Sequence, residues 1–167
     1  SKWCRSLGRR IGWIEAPEFV IESMEDVQSY TILSPDKLHQ MAFGKFITTS
    51  IDDGSLDVYL EKIRKLYKNT AEKTAEIIQK HLDFPIIQPE GGLYIFMKVN
   101  TDSTKFVETV LTKTGVLFIP GQGFGITGKN AVRVSFGPLV EEIDKIELGI
   151  VKTAKYLNEI KPFLKTN

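Results

Sequence analysis

Residues 1–12 read SKWCRSLGRRIG, placing Lys2, Arg5, Arg9 and Arg10 ahead of the first acid, Glu15. The whole chain holds 22 Lys+Arg against 21 Asp+Glu, a net +1, so this short start leaves the remainder with an excess of acid. A local concentration of cations implies an anion close by. Read as a strand over residues 8–15, entered through a glycine turn, the stretch alternates its side chains between two faces. Arg10 then shares a face with Gly8 and Gly12, which have no side chains. Glycine inside a strand marks the close approach of a ligand. The planar fork of arginine matches phosphate with two parallel charged hydrogen bonds. Space beside Arg10 therefore suits a bulky planar anion, with Lys2 brought back towards it by the Leu7–Gly8 turn.

Working outward, 167 residues is about one ordinary domain, and 42% hydrophobic content fills a real core. Near-neutral charge argues against a general nucleic-acid binder. A single cysteine, Cys4, excludes an intramolecular disulfide framework and fits a reducing compartment. His39 and His81 have no Cys or His at ligand spacing, so no metal site is expected. No apolar run approaches the roughly 18 residues of a membrane span, and arginines interrupt what would be a leader. The expectation is a soluble, cytoplasmic protein that engages neither membrane nor nucleic acid.

Apolar spacing predicts three helices in the first half. The first follows Pro17, with Val20, Met24 and Val27 as its stripe. The second opens at Ser34-Pro35, read as N-cap and first turn, with Leu38, Met41, Ala42 and Phe46 on one face. After a break at Asp52-Asp53-Gly54-Ser55, the third holds its period from Leu56 to Leu82 and would reach about 40 Å, a spine linking two lobes. The second half changes character. Strands are predicted at 85–87, 93–99, 116–119 and 131–136. Helices are predicted from Ser103 to a stop at Gly115, and over about 139–158. Few strands interleaved with helices make a compact α+β lobe. Gly123-Phe124-Gly125-Ile126-Thr127-Gly128 spells GxGxxG, but that fingerprint needs a following helix to hold a pyrophosphate. A strand follows here, so a nucleotide site is rejected in favour of a small-residue turn beside a cleft. Tyr94 is read as a core or interface tyrosine, with a place bordering the active site as the alternative.

Ser1-Lys2, then Gly8, Arg10 and Ile11-Gly12-Trp13, resembles the lysine motif of fold-type-I, pyridoxal-phosphate-dependent aminotransferases of classes I and II. Arg5 and Ser6 stand where that family usually has a small and an apolar residue. Three later stretches agree in order and spacing: PEGGLYIFMKV, GVLFIPGQGFG and NAVRVSFG. The resemblance covers essentially the whole chain but only the C-terminal portion of such an enzyme. It implies an α/β fold, with residues 1–51 ending the large cofactor-binding domain and 52–167 forming the small domain behind a long bridging helix. It further implies pyridoxal 5'-phosphate as cofactor, Lys2 as Schiff-base and catalytic lysine, Arg10 on the cofactor phosphate, and Arg133 on the substrate α-carboxylate. The implied substrates are an amino acid and a 2-oxo acid, and the implied assembly is a homodimer. Other groups that contact the cofactor ring lie upstream in the family, so these residues alone are expected to be inactive. A decarboxylase or β-lyase of the same fold is the alternative within the class. The alternative outside it is the effector-binding lobe of an aminotransferase-like transcription regulator.

Overall fold

The computed structural model describes Arg5, Gly8 and residues 10–164. The chain divides into two compact units, Ser1–Ile63 and Arg64–Asn167.

In the first unit, helix α1 spans Glu18–Thr31 and α2 spans Lys37–Asp52. Pro17 is the N-cap of α1 rather than its first helical residue, because its ψ of 149° is still extended. The cap of α2 is Asp36, not Ser34. A residue before proline is biased away from helical backbone, which disfavours helix entry at Ser34. The Asp36 carboxylate instead accepts the His39 backbone N–H at 3.1 Å and meets His39 Nδ1 at 2.7 Å. Between α2 and the next helix, Asp53 accepts from the Ser55 N–H at 2.9 Å, and Gly54 takes φ 72°. Phe43 stacks near Phe46, which meets the Tyr59 ring edge-on at 6.1 Å. No residue of α1 is buried, and Phe19 and Val27 on it are exposed.

Helix α3, Ser55–Leu82, continues the predicted period into the second unit. Four strands follow: β1 (Ile86–Ile87), β2 (Tyr94–Lys98), β3 (Ile119–Pro120) and β4 (Ala131–Ser135). They form one antiparallel sheet in the order β1-β2-β4-β3. Helix α4 spans Ser103–Thr114, and α5 spans Ile143–Leu164. Gly115 ends α4 in the left-handed region at φ 73°, donating its N–H to Leu111 O, as the sequence predicts. Helix α5 starts four residues later than its apolar spacing predicts. Gly137–Leu139 forms a 3-10 turn instead, with Pro138 in its first positions. The predicted strand at 116–119 contributes only its last residue to the ladder. Phe118 and Val116 join the core without pairing.

Alternation explains the packing. Ile95 and Met97 of β2 and Val132 and Val134 of β4 are buried on one sheet face. They join one cluster with Ala71, Ala75 and Ile78 of α3, Phe106, Val107 and Val110 of α4, and Ile146 and Ile150 of α5. Buried hydroxyls within this layer are satisfied: Thr70 donates to Val140 O at 3.0 Å and Thr74 to Thr70 O at 2.7 Å. The other face carries Tyr94, Phe96, Arg133 and Ser135, all half-buried. No described helix is long and apolar enough to cross a membrane.

Candidate active site

Arg133 reaches its place through its neighbours. Val132 and Val134 belong to the core, so period-two alternation turns Arg133 to the opposite sheet face. It lies on an inner strand, opposite Phe96 of β2 on one side and Ile119 of β3 on the other. The guanidinium carbon sits over the Tyr94 ring at 4.2 Å from its centroid, and over the Phe124 ring at 5.0 Å. Phe124 in turn meets Phe96 edge-on at 5.4 Å. The Arg133 Nε is buried and has no hydrogen-bond partner among the described residues. A buried donor of a permanently charged group left unpaired is costly, and such an exception marks a place prepared for an external acceptor. A carboxylate is the natural match to the fork.

A cleft of about 900 Å³ adjoins this cluster. Phe96 and Phe124 are shared with it, while Ile87, Lys98 and Asn130 add an apolar wall and polar groups. The loop carrying Phe124 is built on close backbone approach. A Cβ on Gly121 would fall on the carbonyls of Ala131 and Gly128, and one on Gly128 would fall on the backbone of Gly121. Gly121–Phe124 and Ile126–Gly128 are 3-10 turns, and β4 follows them. No helix therefore stands where a nucleotide fingerprint requires one.

The other sequence-derived residues fall elsewhere. Lys2 and Cys4 lie outside the described residues. Arg10 belongs to the first unit and Arg133 to the second. The strand expected over 8–15 is not formed by residues 10–15: a strand needs another strand to ladder with, and none of the described strands pairs with this stretch. Gly8 sits in a turn at φ 83°, and Arg10 itself takes φ 56°. The argument from a shared strand face with Gly8 and Gly12 therefore does not hold. A Cβ at either glycine would meet nothing within 4 Å, and Arg10 is exposed. An exposed guanidinium is open to a phosphate dianion, so the chain is compatible with a phosphate-bearing cofactor at its start. Among the described residues no group of three His, Cys, Asp or Glu could hold a metal.

Sequence reasoning missed Phe124 and Phe96, and it ranked a core or interface place for Tyr94 above one bordering the active site. Alternation in LYIFMKV could have grouped Tyr94 with Phe96, but only the β2–β4 register sets both beside Arg133.

An antiparallel sheet backed by three helices agrees with the fold of the known proteins that this chain resembles. The family model described as aminotransferase class I and II matches residues 1–146. The chain belongs to the class I and II aminotransferase family, and its fold is a partial fold-type-I pyridoxal-phosphate transferase. It is 30% identical over 167 residues to an aromatic-amino-acid aminotransferase of Thermococcus litoralis, covering 96% of this chain and 40% of that protein. The crystal structure of an aromatic aminotransferase from Pyrococcus horikoshii superposes with a TM-score of 0.79 at 28% identity, over 93% of this chain and 40% of that one. A Bacillus subtilis protein described as an uncharacterized HTH-type transcriptional regulator is 26% identical over 158 residues, covering 93% of this chain and 32% of that protein. The chain thus spans about 40% of the length of the aminotransferases it matches.

Proposed function

We propose that the protein carrying this chain is a pyridoxal-phosphate-dependent aminotransferase that moves an amino group between an amino acid and a 2-oxo acid, working as a cytoplasmic homodimer. Residues 1–51 are read as the end of its large domain and 52–167 as its small domain. Arg133 carries the proposal: a buried Nε–H without a partner, on the open face of the sheet, is a receptor for a carboxylate. The cofactor, when bound, supplies an electron sink for the bonds of the substrate α-carbon. Lys2 would hold it covalently through Nζ. Once displaced, the same Nζ would take the proton from the substrate Cα and return it, as a positioned general acid/base. Cationic neighbours keep more of that amine neutral, a role open to Arg5 and Arg10. Arg10 would neutralise the phosphate. Arg133 would orient the substrate by its α-carboxylate, so that its Cα–H is presented in the same way in each encounter.

The test is borohydride reduction of the full-length protein with its cofactor, followed by peptide mass mapping. A pyridoxyl group on Lys2 is expected, and one on any other lysine sinks the assignment. Arg133→Ala should raise KM for the amino acid by roughly a hundredfold, the worth of charged hydrogen bonds to a carboxylate. Product analysis separates the alternatives of the same fold: a keto acid marks transamination, whereas an amine or ammonia marks decarboxylation or β-elimination. The relative described as a regulator favours a second reading, an effector-binding lobe. In that case the lysine adduct would form with no turnover of any amino acid.

A further inference from the structure

Arg133 poses a physical question: a guanidinium that must receive a ligand has to be held without being neutralised. An acid partner would fix it, but it would occupy the N–H donors that a substrate carboxylate needs. Among the described residues no acid pairs with Arg133. Two rings lie against it instead, Tyr94 at 4.2 Å and Phe124 at 5.0 Å from the guanidinium carbon. An aromatic face attracts a cation through its quadrupole and leaves the in-plane N–H donors unused.

We propose that Phe124 is a positioning residue for carboxylate binding, its ring acting with that of Tyr94 to hold the Arg133 guanidinium while leaving its donors free. The inference rests on reading Arg133 as the carboxylate receptor. Phe124 is 52% exposed, so burial alone does not explain where it stays. Its loop does. Gly121 and Gly128 touch backbone to backbone with no room for a Cβ on either. The Gln122 N–H donates to Ser103 Oγ at 3.3 Å, and Ser103 is fully buried. Gly125, next in the chain, takes φ 125° and ψ 173°, a conformation essentially restricted to glycine. Edge contact with Phe96 sets the ring from the sheet side.

The experiment uses the full-length protein and two probes without an amino group, 3-phenylpropionate and succinate, titrated calorimetrically into wild type and variants. Phe124→Leu should weaken binding by about fivefold to thirtyfold, the range of a partly desolvated cation–π contact. Phe124→Tyr should recover wild-type affinity to within about threefold. On an Arg133→Met background, Phe124→Leu should add less than about twofold, because the two changes act on one interaction. Should Phe124→Leu fail to fold, Phe124→Met supplies the same comparison. Wild-type affinity in Phe124→Leu, alongside lost binding in Arg133→Met, overturns the positioning role and leaves the receptor reading intact. Equal loss in Phe124→Leu and Phe124→Tyr also overturns it, since the ring would then not be the cause. Carboxylate binding that is indifferent to Arg133→Met, or absent from wild type, removes both.

Discussion

Two glycines show how different the reasons for one residue type can be. Gly115 ends α4 at φ 73°, and a Cβ there would meet nothing within 4 Å. Its requirement is conformational, so Gly115→Ala should cost about 1 kcal/mol, the left-handed penalty of an L-residue. Gly128 has an ordinary φ, but its Cβ would fall on the backbone of Gly121. Neither backbone can give way without moving β4, so Gly128→Ala should cost about 3 kcal/mol, the upper range of overpacking. It should also weaken carboxylate binding by displacing Phe124. Urea unfolding of the two variants checks the order, and a Gly128→Ala protein as stable as Gly115→Ala would refute the close-approach account. Both glycines are visible in the sequence. Gly115 reads as a helix stop, but nothing local shows that Gly121 and Gly128 meet.

At the scale of elements, legibility follows whether the determining interaction is local. The period of α3 is written in Leu60, Ile63, Tyr67, Ala71 and Ile78, so its span is legible to within a residue. The stop at Gly115 and the strands β2 and β4 are legible for the same reason. The misreadings all involve competition between neighbours or a distant partner. Asp36 outcompetes Ser34 as a cap, Pro138 delays α5, and residues 10–15 have no neighbouring strand among the described residues. Arg133 could be singled out from NAVRVSFG, whereas its aromatic clasp depends on register and loop path. The capping carboxylates carry an element-scale prediction. Asp36 is held below its ordinary 3.8, first by the His39 backbone N–H and then by the His39 side chain. Asp53 is lowered too, first by the Ser55 side chain and then by its N–H. A depressed folded pKa gives stability that is present above pH 3.8 and lost as pH falls through the folded value. Asp36→Asn should therefore flatten the acid limb of thermal stability below pH 4 while keeping much of the cap at neutral pH. Melting followed from pH 2.5 to 7 tests it. An unchanged acid limb would show that this carboxylate does not drive the loss.

For the whole molecule, the core is concentrated at one end of the chain. Its buried members run from Ala71 to Ile150, and the side chains packed on them from Tyr67 to Leu157. None comes from α1 or α2, whose exposed apolar residues contribute nothing to that cluster. The stability of the sheet and its three helices should then be independent of the first 54 residues. Ile78, fully buried on α3, is the reporter. Ile78→Ala removes three methyl-sized groups from a packed site, a change that costs about 2–5 kcal/mol. The argument requires that loss to be the same in the 167-residue chain and in a piece starting at Ser55, within the roughly 0.5 kcal/mol by which independent contributions add. Urea unfolding of the four proteins, followed by near-ultraviolet circular dichroism, measures both losses. If the shorter piece unfolds without a cooperative transition, or the two losses differ by more than about 1 kcal/mol, the core depends on the preceding helices. The arginine clasp would then have to be explained as a property of both units together.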